Sequence, residues 1–278
     1  MNDQKKSGES LVHSVSLAGS RTEAERLDRI RALVSAAGPD ALAQEDGLVG
    51  IKIQVGRSGP LAPFPPQIAR PIARVVTEGG GKPFVMEALR PCRDLCRDAL
   101  DLHELTAGQG YTLAVVGAPI IVADGLGGNA MTEVDRGGSR GWVAMDAINA
   151  DGLIIATGLD PSSGKQQGSA LGNAADFAHA GAEPTGDAGD PAERAAIFLA
   201  ACSGKTLFIS LIDVAGEPSP EAPLDGVEMP CLLASCDPVA LDQASLDHTG
   251  DRGHLPEILD AAVGLGLGSR SYKLADAV

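Results

Sequence analysis

The run Leu153–Thr157 is the feature that most constrains the fold, because it is almost uninterrupted in apolar side chains over the length of a typical strand. A strand that is apolar on both faces is typical of a parallel sheet covered by helices. Other candidate strands alternate with candidate helices. Leu48–Val55 has a clear strand pattern, and the apolar residues of Gln67–Glu78 recur at helical spacing. This alternation predicts an α/β fold in layers, with a mostly parallel sheet flanked by helices.

Two shorter segments carry more specific local predictions. The apolar runs 113–116 and 120–123 on either side of Gly117-Ala118-Pro119 are interpreted as strands. Asp237-Pro238 is interpreted as the start of a helix, because aspartate is a favoured N-cap and proline suits the first helical position.

Length and composition suggest one large or two small domains. The chain has 278 residues, of which 44% are apolar and only 3% aromatic, so small aliphatic side chains must fill the core. Residues 1–11 are predicted to be a disordered tail. Residues 12–278 are predicted to form one α/β unit of two lobes, at about 12–180 and 191–278, joined by an acidic Gly/Pro-rich linker at 181–190.

The charge argues against several classes of partner. A net charge of −15 repels phosphate backbones and anionic membranes, so we expect no nucleic-acid binding.

No apolar run approaches the roughly 18 to 20 residues of a membrane span. Met1–Val12 is polar and lacks the apolar core of a signal peptide, so we expect a cytoplasmic protein. A small molecule and another protein remain as candidate partners.

The five cysteines do not predict a disulfide framework or a metal centre. Their number is odd and the chain is not small. Cys92 and Cys96 are four residues apart, but such a pair without further ligands is a weak metal signal, and no Cys-x2-Cys occurs. The five histidines show no metal-ligand spacing on one helical face. We therefore predict buried or half-buried thiols and no metal site.

A glycine-rich segment that resembles a phosphate-binding loop has the wrong spacing. Gly158–Lys165 follows a buried strand and precedes a helix, but it is one residue too long. Gln166 also stands where a serine or threonine would bind magnesium. We therefore do not predict nucleotide binding.

Four polar residues form the candidate site. Lys52 lies on an apolar strand that leads into a Gly-rich loop, Asp124 directly follows a strand, and Asn173 opens a short helix. Asp242 lies in the helix that begins at Asp237-Pro238 and is a candidate ionic partner for Lys52. Because open α/β sheets bind ligands at the carboxyl ends of their strands, we expect these four side chains to converge there. The alternative is that Lys52 and Asp242 form a structural ion pair and the other two residues cap turns.

Five segments, in their order along the chain, resemble the domain-of-unknown-function family 362, whose members are often called uncharacterised iron–sulfur centre proteins. The resemblance covers residues 12–274. Its segments are Gly50–Gly56, Gly117–Leu126, Asn149–Ile155, Ser235–Asp247 and Gly266–Arg270. The most specific of them is Ser235–Asp247.

At several positions where the family carries lysine, histidine or cysteine side chains, this chain has other residues. Gln54 replaces a histidine, Gly172 replaces a lysine, and Asp160–Ser162 replaces a Lys-Gly-His stretch. Many members insert a ferredoxin module where this chain has only residues 181–190, and Glu217–Glu221 replaces a Cys-x-Cys loop. The resemblance therefore implies a divergent member that lacks the ferredoxin insert, and no iron–sulfur cluster or other cofactor is predicted.

Two functions of different class follow from these observations. The first is a small-molecule-binding protein or enzyme whose cleft lies at the carboxyl ends of the strands and contains Lys52, Asp124, Asn173 and Asp242. The second is a non-catalytic partner or regulatory relative of the iron–sulfur members. Neither the catalytic residues nor the substrate can be assigned from the sequence, and whether the chain is an enzyme stays open at this point.

Overall fold

The computed structural model describes most of the chain, namely residues 9–20, 22–38, 42, 45–55, 64–159, 169–180, 189–202, 205–212, 231–249 and 255–278. Most of the predicted tail and of the predicted linker lie outside the described residues. So do the segment that departs from the family at 160–162, most of the loop that resembles a phosphate-binding loop, and Glu217–Glu221.

The described residues contain eleven strands: β1 (Ser10–Ser16), β2 (Leu48–Lys52), β3 (Lys82–Glu87), β4 (Ile120–Val122), β5 (Met131–Arg136), β6 (Ser139–Ala144), β7 (Gly152–Leu159), β8 (Ala178–Ala180), β9 (Thr206–Ile212), β10 (Cys231–Ser235) and β11 (Tyr272–Asp276).

They also contain nine α-helices: α1 (Glu23–Ala37), α2 (Pro66–Glu78), α3 (Ala99–Gly108), α4 (Leu113–Val116), α5 (Met145–Ile148), α6 (Ala170–Ala175), α7 (Pro191–Ala201), α8 (Pro238–Thr249) and α9 (Leu255–Gly264). Among these described helices, none combines the length and the apolar character that crossing a membrane would need.

Eight strands form the main sheet, in the order β11-β1-β10-β9-β7-β2-β3-β4. The five strands from β9 to β4 are parallel to one another. β10 is antiparallel to both β9 and β1, and β11 is parallel to β1. Since β10 alone runs against the others in this sheet, the predicted mostly parallel α/β architecture is confirmed.

Alternate residues of the central strand β7 enter two different cores. Ile154 and Ala156 belong to the core that includes apolar residues of α1 and α2. Leu153 and Ile155 belong to the core that includes apolar residues of α6 and α8. The apolar run in the sequence therefore reflects burial on both faces of the sheet, as predicted.

A second, smaller sheet lies beside the helices that cover the α6 and α8 side of the main sheet. β5 and β6 form an antiparallel pair, and β8 pairs with the other side of β6. Val143 and Ala178 of this sheet belong to the same core as Ile197 and Phe198 of α7. Because β8 follows α6 after only Asp176 and Phe177, this sheet fixes the chain at the end of α6.

The prediction of a strand at 113–116 is wrong, because these residues form the short helix α4. The Thr112 side chain caps its start by accepting a hydrogen bond from the Val115 N–H. Gly117 ends the helix with a φ of 79°, a left-handed conformation that favours glycine. Local capping therefore outweighs the β propensity of the valines.

The predicted helix start at Asp237-Pro238 is confirmed, and its aspartate has a second role. Asp237 Oδ1 accepts hydrogen bonds from the backbone of Val239 and Ala240, which caps α8. Asp237 Oδ2 accepts from the Ser10 hydroxyl and the Ser269 N–H. One carboxylate thus connects the start of α8 to the first strand and to the last loop of the chain.

The division into one unit with two lobes stays a prediction, and the sheet topology shows how to test it. Residues 192–278 alone would leave one edge of β9 without β7, and one edge of β10 without β1. Since every residue of β9 is buried in the full chain, we expect this fragment to show no cooperative thermal transition, whereas the full chain does. A cooperative transition for the fragment would contradict the single-unit prediction.

Candidate functional site

Lys52 is the centre of a buried ionic cluster at the end of β2. Its side chain is fully buried, and its ammonium donates hydrogen bonds to the Ile53 carbonyl at 2.8 Å and to Glu87 Oε1 at 2.5 Å. Asp176 Oδ2 lies 3.6 Å from the same nitrogen. The nitrogen also lies 5.2 Å from the centroid of the Phe177 ring, which places the cation within range of a cation–π interaction.

Glu87 ends the neighbouring strand β3, and both of its oxygens accept hydrogen bonds. Oε1 accepts from the Lys52 ammonium and from the Ala88 N–H at 2.8 Å, and Oε2 accepts from the Val55 N–H at 3.1 Å. Because β2 and β3 are adjacent parallel strands, this carboxylate fixes the backbone just beyond the end of each.

Burial and charge act in opposite directions on this pair. Burial lowers the pKa of Lys52, but the charges of Glu87 and Asp176 more than offset this effect, so the pKa of Lys52 is raised overall. Burial raises the pKa of Glu87 to about 7, despite the opposing charge of Lys52. Lys52 therefore stays cationic, whereas Glu87 can gain or lose a proton near neutral pH.

Asp176 lies between the cations Lys52 and Arg194. Its Oδ2 atom lies 3.6 Å from Lys52 Nζ, and its Oδ1 atom lies 3.9 Å from Arg194 Nη2. Both distances are longer than an ordinary hydrogen bond between such groups. The side chains of Asp176 and Arg194 are 22% and 17% exposed, so they link the buried pair to the surface.

Asn173 lies in α6, three residues before Asp176, which caps the end of that helix. Its Nδ2 group donates to the Ala156 carbonyl at 3.0 Å and to Thr157 Oγ1 at 3.2 Å, near the end of β7. Its Oδ1 atom is buried and accepts no hydrogen bond from the residues that the structure describes. Ser210, which is the register partner of Thr157 on β9, also has a buried hydroxyl without a partner among the described residues. Hydrogen-bonding capacity is therefore unfilled at this edge of the sheet.

Asp124 follows β4 and holds the turn after β3. Its oxygens accept hydrogen bonds from the Leu89 N–H at 2.8 Å and from the Arg90 N–H at 3.1 Å. The carboxylate thereby orients the short 3-10 turn Arg90–Cys92 beside the end of β3. This contact gives Asp124 a structural role.

Asp242 caps the start of α6 and is not the partner of Lys52. Its oxygens accept from the Ala170 N–H at 2.6 Å and from the Leu171 N–H at 3.0 Å. The sequence-based pairing with Lys52 is therefore wrong: the carboxylate that holds Lys52 is Glu87, on the adjacent strand. Asp242 instead orients the helix that carries Asn173.

The structure brings part of the predicted site together and adds two residues that the sequence analysis missed. Lys52 and Asp124 lie at the carboxyl ends of parallel strands, and Asn173 contacts the end of β7. The missed residues are Glu87 and Asp176. Glu87 is the last residue of a strand with an apolar end, a signal close to the one that identified Asp124, and Asp176 lies three residues after Asn173.

The cysteines near this cluster do not fit an iron–sulfur centre. Burial raises the pKa of the Cys92 thiol, and the charges of Glu87 and Asp176 raise it further, so the thiolate is disfavoured. Within the described part of the chain, no group of three or more His, Cys, Asp or Glu residues could hold a metal ion.

The cap formed by Asp242 generates a stability prediction. We expect Asp242→Ala to lower the free energy of unfolding by roughly 2–4 kcal/mol, because two buried N–H groups lose their acceptor. Chemical denaturation at pH 7 measures this change. Asp260→Ala is the control, since Asp260 is an exposed surface partner of Arg270 and its loss should cost less than about 1 kcal/mol.

The same carboxyl group predicts a pH dependence. Burial raises the pKa of Asp242 from 3.8 to about 7, so the folded protein binds this proton more tightly than the unfolded chain. The extra stability that comes from this tighter proton binding is therefore largest below pH 3.8 and is lost as the pH rises through about 7, whereas the two backbone hydrogen bonds to Asp242 do not depend on it. We expect a shallower decline of stability over this range in Asp242→Asn, and an unchanged slope would contradict this role.

Comparisons with known proteins identify the family and add a distant structural likeness. No curated protein matches the chain. The solved lactate racemase apoprotein from Thermoanaerobacterium thermosaccharolyticum is similar to 73% of this chain, at 15% identity and a TM-score of 0.38. The chain spans only half of that structure, 50% of its length. The sequence profile of the family described as Domain of unknown function (DUF362) matches residues 49–247, and the chain therefore belongs to this family.

Proposed function

We propose that this protein binds a small molecule at the carboxyl ends of β2, β3 and β7, and that the Lys52–Glu87 pair exchanges a proton with it. The observation that carries the proposal is the fully buried Lys52 ammonium, 2.5 Å from Glu87 and 3.6 Å from Asp176. In open α/β sheets, ligands bind at this edge, outside the carboxyl ends of the strands.

Stability alone does not account for such a cluster. Burying an ion pair has a large desolvation cost, and apolar residues of similar volume are often equally or more stabilising. Strongly shifted pKa values cluster at functional sites, although structural ion pairs shift them too. A role in chemistry gives a reason for keeping Lys52 and Glu87 that packing does not.

Unfilled hydrogen-bonding groups support a ligand at the same place. The Lys52 ammonium has three N–H donors, and two of them are used by Ile53 and Glu87. The third has Asp176 at 3.6 Å, beyond an ordinary hydrogen bond, and Asn173 Oδ1 accepts no hydrogen bond within the described part of the chain. A bound molecule could satisfy both groups. Lys52 and Asn173 are thus the members of the predicted site that we retain.

The protonation of the pair suits acid–base chemistry at neutral pH. A group whose pKa lies near the working pH is the most effective general acid or base, and burial raises the pKa of Glu87 to about 7. Lys52 supplies the fixed positive charge that stabilises the ionised form of Glu87. The proposal draws on these side chains and not on an iron–sulfur cluster.

A ligand screen tests the proposed function. Thermal unfolding of the wild type is measured with anionic compounds (pyruvate, succinate, citrate, inorganic phosphate), neutral compounds (glucose, uridine) and a cationic compound (spermidine). We expect at least one compound to raise the melting temperature by about 5 °C when its concentration is about 100-fold above its dissociation constant.

The matched variant for this screen is Glu87→Gln, which keeps the size of the side chain and removes the titrating proton. We expect it to fold, and to lose all or most of the ligand-induced shift. Glu104→Gln on the exposed face of α3 is the control and should respond as the wild type does. A panel without any response, or an unchanged response in Glu87→Gln, would contradict the proposal.

A further inference from the structure

One ammonium serves two carboxylates at the proposed site. Glu87 Oε1 lies 2.5 Å from Lys52 Nζ, and Asp176 Oδ2 lies 3.6 Å from the same nitrogen. Because both oxygens lie next to one atom, they are within about 6 Å of each other, close enough for the charge of one carboxylate to affect the protonation of the other. The three side chains therefore form one coupled set of charges.

Asp176 acts on Lys52 through its charge rather than through a hydrogen bond. The distance of 3.6 Å exceeds that of an ordinary hydrogen bond between an ammonium and a carboxylate. Glu87 has the hydrogen bond, and the backbone N–H groups of Val55 and Ala88 hold its carboxylate as well. Removing the charge of Asp176 would therefore leave the contact between Lys52 and Glu87 in place.

The fold fixes the position of the Asp176 carboxylate. The Asp176 N–H donates to the Gly172 carbonyl at 3.2 Å at the end of α6, and the Phe177 carbonyl accepts from the Ala144 N–H at 2.9 Å at the end of β6. The centroid of the Phe177 ring lies 5.2 Å from Lys52 Nζ. The chain is thus held on both sides of Asp176, with its carboxylate beside the ammonium.

Other ionisable groups of the described residues also face the cluster, and none of them replaces Asp176. They are Cys92 and Cys96 around the 3-10 turn, Tyr111 after α3, and Arg194 in α7. Burial raises the pKa of the two thiols and of the Tyr111 hydroxyl, so these groups are uncharged near pH 7. Arg194 lies 3.9 Å from Oδ1 of Asp176, whereas Lys52 is near Oδ2.

Burial decides which of the two carboxylates takes up a proton. The side chain of Glu87 is 2% exposed and that of Asp176 is 22% exposed, so ionisation costs more at Glu87. Burial raises the pKa of Glu87 to about 7, and the charge of Asp176 acts in the same direction, whereas the charge of Lys52 opposes both. A proton that enters the cluster near neutral pH therefore resides on Glu87.

We infer that Asp176 regulates the proposed site: its carboxylate shares the Lys52 ammonium with Glu87, and this competition makes Glu87 easier to protonate near neutral pH. The inference rests on the proposed function, in which Glu87 exchanges a proton with the ligand. Asp176 is a positioning residue, because it acts through Lys52 and Glu87 rather than on the ligand.

The test follows the protonation of Glu87 in variants of Asp176. The side-chain carboxyl ¹³C chemical shift of Glu87 is measured against pH in the wild type and in Asp176→Asn, which removes the charge and keeps the size of the side chain. We expect the midpoint to fall by about one pH unit, because the Lys52 ammonium then acts on Glu87 alone. Asp176→Glu, which restores a carboxylate, should bring the midpoint back toward that of the wild type.

Two further variants make the outcome specific. Asp260→Asn removes an exposed carboxylate that pairs with Arg270, and it should leave the Glu87 midpoint unchanged. Asp176→Ser removes the charge with a smaller side chain, and it decides the matter if Asp176→Asn proves unstable. A purely structural role of Asp176 would lower the melting temperature of its variants without moving the midpoint.

The results separate the inference from the function on which it rests. A Glu87 midpoint that is unchanged or raised in the folded Asp176→Asn or Asp176→Ser protein would overturn the inference, even where the ligand screen succeeds. A lowered midpoint would support the inference even where no compound of the screen binds, because the titration needs no ligand.

Discussion

The contact between Lys52 and Glu87 is the interaction on which the geometry of the site depends. Each residue is the last of its strand, and the two strands are adjacent and parallel. Glu87 also accepts hydrogen bonds from the backbone at Val55 and Ala88, so one carboxylate positions the chain as it leaves both strands. Removing either partner would leave the other charge buried, at a cost of about 3–5 kcal/mol.

Two other carboxylates position the surrounding backbone in the same way. Asp124 accepts two backbone hydrogen bonds from the turn that carries Arg90, and Asp242 accepts two from the start of the helix that carries Asn173. Backbone N–H groups that would otherwise be unsatisfied are thereby paired at the edge of the sheet.

The sequence predicted the α/β layers because burial on both faces leaves a direct trace, as in the apolar run Leu153–Thr157. The start of α8 was predictable because capping by Asp237 is a local effect. The partner of Lys52 was not predictable, since it depends on which strands are neighbours, and Glu87 lies 35 residues away. Strand β11 was missed for a related reason: it pairs with β1 at the other end of the chain, and its residues are exposed or only partly buried.

The most direct test of the account is the titration of Glu87 itself. The side-chain carboxyl ¹³C chemical shift of Glu87, assigned by comparison with Glu87→Gln, reports its protonation as the pH is varied. The account predicts a midpoint of about 7, because burial in the Lys52 cluster disfavours the charged form. A midpoint at the ordinary value of 4.5 would contradict it, since Glu87 would then be a fully ionised structural partner with no proton to exchange near neutral pH.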